Sequence, residues 1–287
     1  LSDMSRPSAR LVALRAVFRT VGHVAPATAA RWAETLFCTP PRHQPRAADE
    51  AFLATGRHFT VRSGPETLAA WEWPGGRPGA RTVVLAHGWG SRAGRFSAMG
   101  QALTARGFRV VAYDAPAHGR STGRLASLIE FARALRAVSD AVGPVYAVVG
   151  HSLGAAAGVL ALRDGLAAPR AVLIAAPADV VRFSTAFADH LRIPAVVRTA
   201  MRRNLEVRLN ARWDDLHLPA IVRGLSAAAL VVHDRNDTDV PFGQAEEIAA
   251  AWPGARLLAT HGLGHRAVLR DAGVVRATAG FLAEAAG

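Results

Sequence analysis

The sequence predicts an α/β fold: a doubly wound, mostly parallel eight-stranded sheet with a small helical cap. From about residue 57 onward, short apolar runs alternate with helical patterns, the signature of repeated β-α units. The later runs are nearly unbroken, as in strands covered on both faces. Between Ala175 and Ala228 the rhythm stops for about fifty residues that carry helical signals only, too long for an unstructured loop.

The elements follow in order. Leu11, Leu14, Val17, Phe18 and Val21 recur at helical spacing, with Arg10, Arg15 and Arg19 off that stripe. Such a helix packs on its own domain; the alternative is peripheral membrane contact by residues 10–24. Thr39-Pro40-Pro41-Arg42-His43-Gln44-Pro45 reads as a linker. Strands are expected at His58–Arg62, Leu68–Trp73, Thr82–Ala86, Val110–Tyr113, Val145–Val149, Ala171–Ala175, Ala228–Val232 and Arg256–Ala259. Pro65 and Trp73-Pro74-Gly75-Gly76 suggest an antiparallel start. Helices are expected at Gly94–Arg106, Leu125–Val142, Ala155–Arg163, Phe183–Leu191 and Ala195–Leu209. The division expected is an N-terminal helical extension over 1–50, a core over 51–177 and 227–287, and a helical cap insertion over 178–226.

Composition narrows the class. With 287 residues, 51% of them apolar, the chain buries a substantial core. All 34 basic residues are arginine and the net charge is +12, yet no dense basic block with interleaved aromatics marks a nucleic-acid surface. Cys38 is the single cysteine, so no intrachain disulfide can form. No run is long enough to span a bilayer, and Arg15 and Arg19 interrupt the apolar N-terminal stretch that a signal peptide would need. A cytoplasmic location is expected.

The chemistry centres on Gly150-His151-Ser152-Leu153-Gly154, a G-x-S-x-G between a strand and a helix. The tight turn strains the serine, needs small flanking residues, and pushes Ser152 Oγ out at the C-terminal sheet edge. A serine hydroxyl then requires a base, itself oriented by a third group. His265, in Thr260-His261-Gly262-Leu263-Gly264-His265, follows the last strand; glycine before it permits a tight loop aiming the ring at the sheet. His261 is the rival. An HxxxH metal site on this pair needs a helix that two glycines disfavour, so neither a metal nor a cofactor is expected. Asp237, beyond the seventh strand, is the preferred orienting acid; Asp234, Asp239 and Asp179 are alternatives. The loop His87-Gly88-Trp89-Gly90 starts at the same edge, making Trp89 N–H and Leu153 N–H the two oxyanion donors expected. His87 is expected to hold that loop rather than act as a base.

Taken together, His87-Gly88-Trp89, Asp114-Ala115-Pro116-Ala117-His118-Gly119-Arg120-Ser121, Gly150–Gly154, Asp237 with Pro241, and Gly264-His265 resemble the α/β-hydrolase fold superfamily over residues 58–287. The order Ser152, Asp237, His265 is the family's order. The resemblance implies structural roles for Asp114 and His118, and Ala117 stands where the family usually has glycine. Serine rather than aspartate at the elbow separates this chain from dehalogenase-like and epoxide-hydrolase-like members and implies acyl transfer. The activity implied is that of a serine carboxylesterase acting on a small-molecule ester with an apolar moiety, the latter on account of Phe183, Phe187, Leu191, Ile193 and Val196. Thioesterase, lipase, aminopeptidase, C–C hydrolase, acyltransferase and perhydrolase share the machinery. A low-turnover binding or signalling protein of this fold is the alternative of another class.

Overall fold

The computed structural model describes residues 8–284, so residues 1–7 of the expected extension and 285–287 of the expected core lie outside it. Its strands are β1 (Arg57–Ser63), β2 (Glu66–Trp73), β3 (Thr82–Ala86), β4 (Arg109–Tyr113), β5 (Val145–His151), β6 (Arg170–Ile174), β7 (Ala228–Asp234) and β8 (Arg256–Thr260). They form one eight-stranded sheet in the order β1-β2-β4-β3-β5-β6-β7-β8. β1 and β2 are the antiparallel start, β2 also runs antiparallel to β4, and every pair from β4 onward is parallel. The doubly wound α/β expectation therefore holds; β3 has the expected bounds, β6 is shifted one residue toward the N-terminus, and the other strands are extended by one or two residues at an end.

The helices are α1 (Ala9–Val24), α2 (Pro26–Cys38), α3 (Ala47–Ala54), α4 (Ser97–Ala105), α5 (Leu128–Val142), α6 (Leu153–Arg163), α7 (Val180–His190), α8 (Ala195–Leu209), α9 (Leu218–Val222), α10 (Gly243–Ala251), α11 (Gly264–Ala267) and α12 (Ala272–Ala283). Local chemistry sets many of their starts. Ser8, Ser127, Asp179 and Asp271 accept backbone N–H groups at the first turns of α1, α5, α7 and α12. Pro26 opens α2, where its missing N–H costs nothing. Helix α5 starts at Leu128 rather than Leu125 because Ser127 caps it. Among the described residues no helix is long and apolar enough to cross a membrane.

The chain divides into two compact units. The larger, Pro40–Ala178 with His217–Gly287, contains the sheet. Its core lies between β-strand residues such as Val83, Leu85, Val110 and Val149 and the side chains of Phe96, Met99, Leu103, Val274 and Phe281, all nearly inaccessible. The segment 39–45, expected as a linker, has no helix or strand, and Arg92 donates from the larger unit's own loop to the His43 carbonyl.

The smaller unit joins residues up to Thr39 with Asp179–Leu216, so α1 and α2 belong with α7 and α8. Sequence reasoning treats these as two separate segments because they stand 140 or so positions apart and no local pattern links them. Small residues allow the packing: Ala29, Ala30 and Ala33 of α2 are fully buried, and a Cβ on Gly22 would sit 2.9 Å from Pro194. Phe37 meets Phe187 edge-on at 5.1 Å, and Leu191 and Ile193 are buried. Three of the five residues offered as a sign of an apolar substrate thus build this unit's own interior. Arg208 bonds Glu34 at 2.7 Å and approaches Cys38 Sγ at 3.3 Å, tying α8 to α2.

Candidate active site

The C-terminal ends of β3, β5, β7 and β8 carry the four groups that the sequence singles out. Ser152, between β5 and α6, adopts φ 51° and ψ −121°, a conformation that L-residues avoid. Its N–H donates to Ile174 O on the neighbouring strand (2.9 Å), fixing the turn. The flanking glycines are required sterically. A Cβ on Gly150 would lie 2.4 Å from Ala155 Cα, and one on Gly154 would lie 2.2 Å from Ala86 O. Helix α6 begins at Leu153 itself, two residues earlier than its apolar pattern suggests.

The loop after β3 passes directly against this turn: a Cβ on Gly88 would stand 2.9 Å from Ser152 Cβ. His87 is buried; its Nδ1 donates to Gly88 O (2.7 Å) while its Nε2 accepts from Ala115 N–H (2.9 Å). His118 does the same from the β4 loop, donating from Nδ1 to Pro116 O (2.8 Å) and accepting Gly90 N–H at Nε2 (3.0 Å). Both rings must be neutral to accept these bonds. Burial drives the pKa of His87 down to about 4 and that of His118 to about 3. Asp114 receives Ala93 N–H and Arg120 N–H, each at 2.8 Å, and burial pushes its carboxyl upward against those bonds. These residues leave the amides of Trp89 and Leu153 without a backbone acceptor among the described residues.

Beyond β7 the loop supplies the other flank. Asp237 Oδ1 accepts Asp239 N–H (2.9 Å) and Val240 N–H (2.8 Å), and its Oδ2 receives His265 Nδ1 at 2.7 Å. His233 Nε2 donates to Val240 O (2.8 Å) and lies 3.4 Å from the same Oδ2. Burial alone would raise Asp237, but the bonds from His233, His265 and Val240 outweigh it and hold its carboxyl far below the ordinary range. The rivals have other partners. Asp234 accepts Asn236 N–H (2.9 Å), Thr260 Oγ1–H (2.8 Å) and Leu263 N–H (3.1 Å), and so shapes the loop that presents His265. Asp239 faces Arg266 at 3.8 Å, and Asp179 accepts Val181 N–H at 2.8 Å. His261 is exposed and makes no ion pair with a carboxylate among the described residues.

His151 is the residue that sequence reasoning missed. Its Nε2 donates to the carbonyl of His265 (2.8 Å), and the two rings lie 4.8 Å apart. Its Nδ1 is buried without a partner among the described residues, and burial lowers its pKa to about 3. The ring thus braces the segment carrying His265 from beside Ser152. No sequence signal could have found it, because its partner is a backbone atom 114 residues away. The hydrogen bond of His265 is to Asp237, and none joins its ring to Ser152 Oγ. A groove of about 880 Å³ opens at the opposite end of the strands, lined by Glu72, Arg81, Arg109 and Tyr146, and includes none of these groups.

A mostly parallel sheet presenting a strained serine, a histidine–aspartate pair and a glycine-bearing loop at one edge defines an α/β hydrolase. The chain belongs to the alpha/beta hydrolase family, whose model matches residues 83–277. Solved structures agree on the fold. An esterase from Pyrococcus furiosus superposes with a TM-score of 0.65 at 17% identity, over 85% of this chain and 98% of that one. A hydrolase from Pseudomonas aeruginosa gives 0.62 at 23% identity, over 80% and 99%. The thioesterase domain from the curacin biosynthetic pathway gives 0.60 at 17%, over 80% and 99%.

Proposed function

We propose that this hydrolase cleaves carboxylic esters through Ser152, His265 and Asp237 by way of an acyl-enzyme. The observation that carries the reading is the 2.7 Å bond from His265 Nδ1 to a carboxylate that also accepts Asp239 N–H and Val240 N–H, on the same sheet edge as the strained serine. That bond fixes the tautomer whose Nε2 carries a lone pair. Ser152 Oγ attacks the ester carbonyl carbon and its proton passes to His265 Nε2. The oxyanion that forms accepts from Trp89 N–H and Leu153 N–H, donors that need no reorganisation. Collapse expels the alkoxide, which takes the proton from His265. Water, deprotonated by His265, then attacks the acyl-enzyme and restores Ser152 with release of the acid.

A fluorophosphonate probe tests the nucleophile. Wild type is expected to label and Ser152→Ala to remain unlabelled; equal labelling of both would overturn the assignment. Screening p-nitrophenyl esters from acetate to palmitate beside thioester, amide and aminoacyl substrates then tests the ester reading. Preferred turnover of a thioester or an aminoacyl substrate would keep the triad and replace the carboxylesterase assignment.

A further inference from the structure

We infer that the outer face of α1 docks on an anionic lipid bilayer, a function separate from the hydrolytic site. Helix α1 is apolar on two sides. Its inner side is occupied within its own unit: Phe18 is buried, Gly22 packs on Pro194, and Arg15 Nε donates to His190 O at 2.9 Å. The other side is not. Val12, Ala13, Ala16, Val17, Thr20 and Val24 are all exposed, the three valines by 51%, 42% and 83%.

At 100° per residue these positions fill an arc of about 140° around the helix axis. Exposed Arg19 bounds one edge of that arc and exposed Arg10 bounds the other, and neither pairs with a described carboxylate. From Met4 to Ala33 the sequence holds five arginines and no aspartate or glutamate. Trp32 and Leu36, one turn apart on α2, are also exposed, by 49% and 41%. Exposed His23 falls inside the arc beside its Arg19 edge, and the remaining apolar stripe with arginines along both margins matches the boundary between acyl chains and anionic headgroups.

The same chemistry disfavours other occupants. A second copy would bring Arg10 and Arg19 against their own counterparts, and a nucleic acid would meet apolar side chains at the centre of the contact. The helix also lies outside the residues matched by the family model, so nothing in the hydrolase machinery accounts for its exposed face.

Vesicle flotation with the full chain tests this. Binding is expected to phosphatidylcholine vesicles containing about 30% phosphatidylglycerol, weak binding to phosphatidylcholine alone, and release by high salt. Val12→Asp/Val17→Asp and Arg10→Glu/Arg19→Glu should each weaken partitioning by about tenfold or more, while Arg10→Lys/Arg19→Lys, which keeps the charge, retains it. Unchanged fluorophosphonate labelling of these variants would report an intact fold. Failure of wild type to float, or undiminished flotation of both disrupting variants, overturns the inference. So does a concentration-dependent dimer in sedimentation that Val12→Asp/Val17→Asp abolishes, which would make a second copy the occupant.

Discussion

The two flanks of Ser152 are built on opposite principles. On the β3–β4 side, His87 and His118 hold only backbone groups, those of Gly88, Ala115, Pro116 and Gly90, and both rings are buried and locked neutral. On the β7–β8 side a carboxylate holds another side chain, and His265 keeps 12% of its side chain accessible. Under the proposed mechanism the difference follows from what each flank would supply. Oxyanion donors must stay still, and buried side-chain-to-backbone bonds achieve that. A base must accept and return a proton in each half-reaction, so its ring needs an ionised partner and an opening towards the reacting atoms.

The largest effect that could break this comparison is in turnover. His265→Ala is expected to lower kcat by about 10⁴-fold with a smaller change in KM, whereas His261→Ala, four positions away and exposed, should retain most activity. Steady-state kinetics on a soluble ester measure both. Comparable losses in the two variants would mean that the proton-carrying flank does not end at His265.

The next effect is in acid stability. His87, His118 and His151 have folded pKa values of about 4, 3 and 3, below the ordinary value for histidine. A depressed folded pKa means that the unfolded chain binds protons first, so stability is complete above about pH 6.5 and is lost as pH falls toward 4. At pH 5 each histidine costs about 2 kcal/mol, and the three together about 6 kcal/mol, a large part of a domain's stability. Asp114, shifted upward, works in the opposite sense as its carboxyl protonates more readily in the folded state. Urea unfolding between pH 7 and 5 should show this loss. A flat profile would mean that these rings are not held neutral in the folded protein.

The same contrast explains what was legible in the sequence. Strand alternation, the elbow and the short motifs around Asp237 and His265 are local patterns, and local patterns survive in one dimension. His87 as a loop holder was readable because it stands in the loop it was expected to hold and bonds the adjacent Gly88 O, whereas its Nε2 partner, Ala115 N–H, lies 28 residues on. His151 was not, since its donor role depends on where α11 places a carbonyl. The union of α1 and α2 with α7 and α8 was equally hidden: alanines on one helix and Pro194 on another declare no partner until they meet.

The smallest effect concerns Ala117, where the family pattern usually has glycine. The structure keeps the left-handed backbone, with φ 64°, and so places an L-residue where glycine would be unstrained. Replacing Ala117 by glycine would relieve about 1 kcal/mol of strain. It would also remove a buried methyl worth about 0.8 kcal/mol and add freedom to the unfolded chain worth about 0.4–1 kcal/mol. These terms largely offset one another and leave a net cost of about 0.2–0.8 kcal/mol, so Ala117→Gly should stay within about 1 kcal/mol of wild type in urea unfolding. Gly119, two residues on, is different: φ is 49°, and a Cβ would fall 2.0 Å from Asp114 Oδ2, inside the loop that holds Ala93 and Arg120. Gly119→Ala should cost at least about 2 kcal/mol, since the buried carboxylate must move off its donors. A cost for Gly119→Ala of no more than about 1 kcal/mol, the strain of a left-handed L-residue alone, would show that backbone strain, rather than the Asp114 network, limits this position.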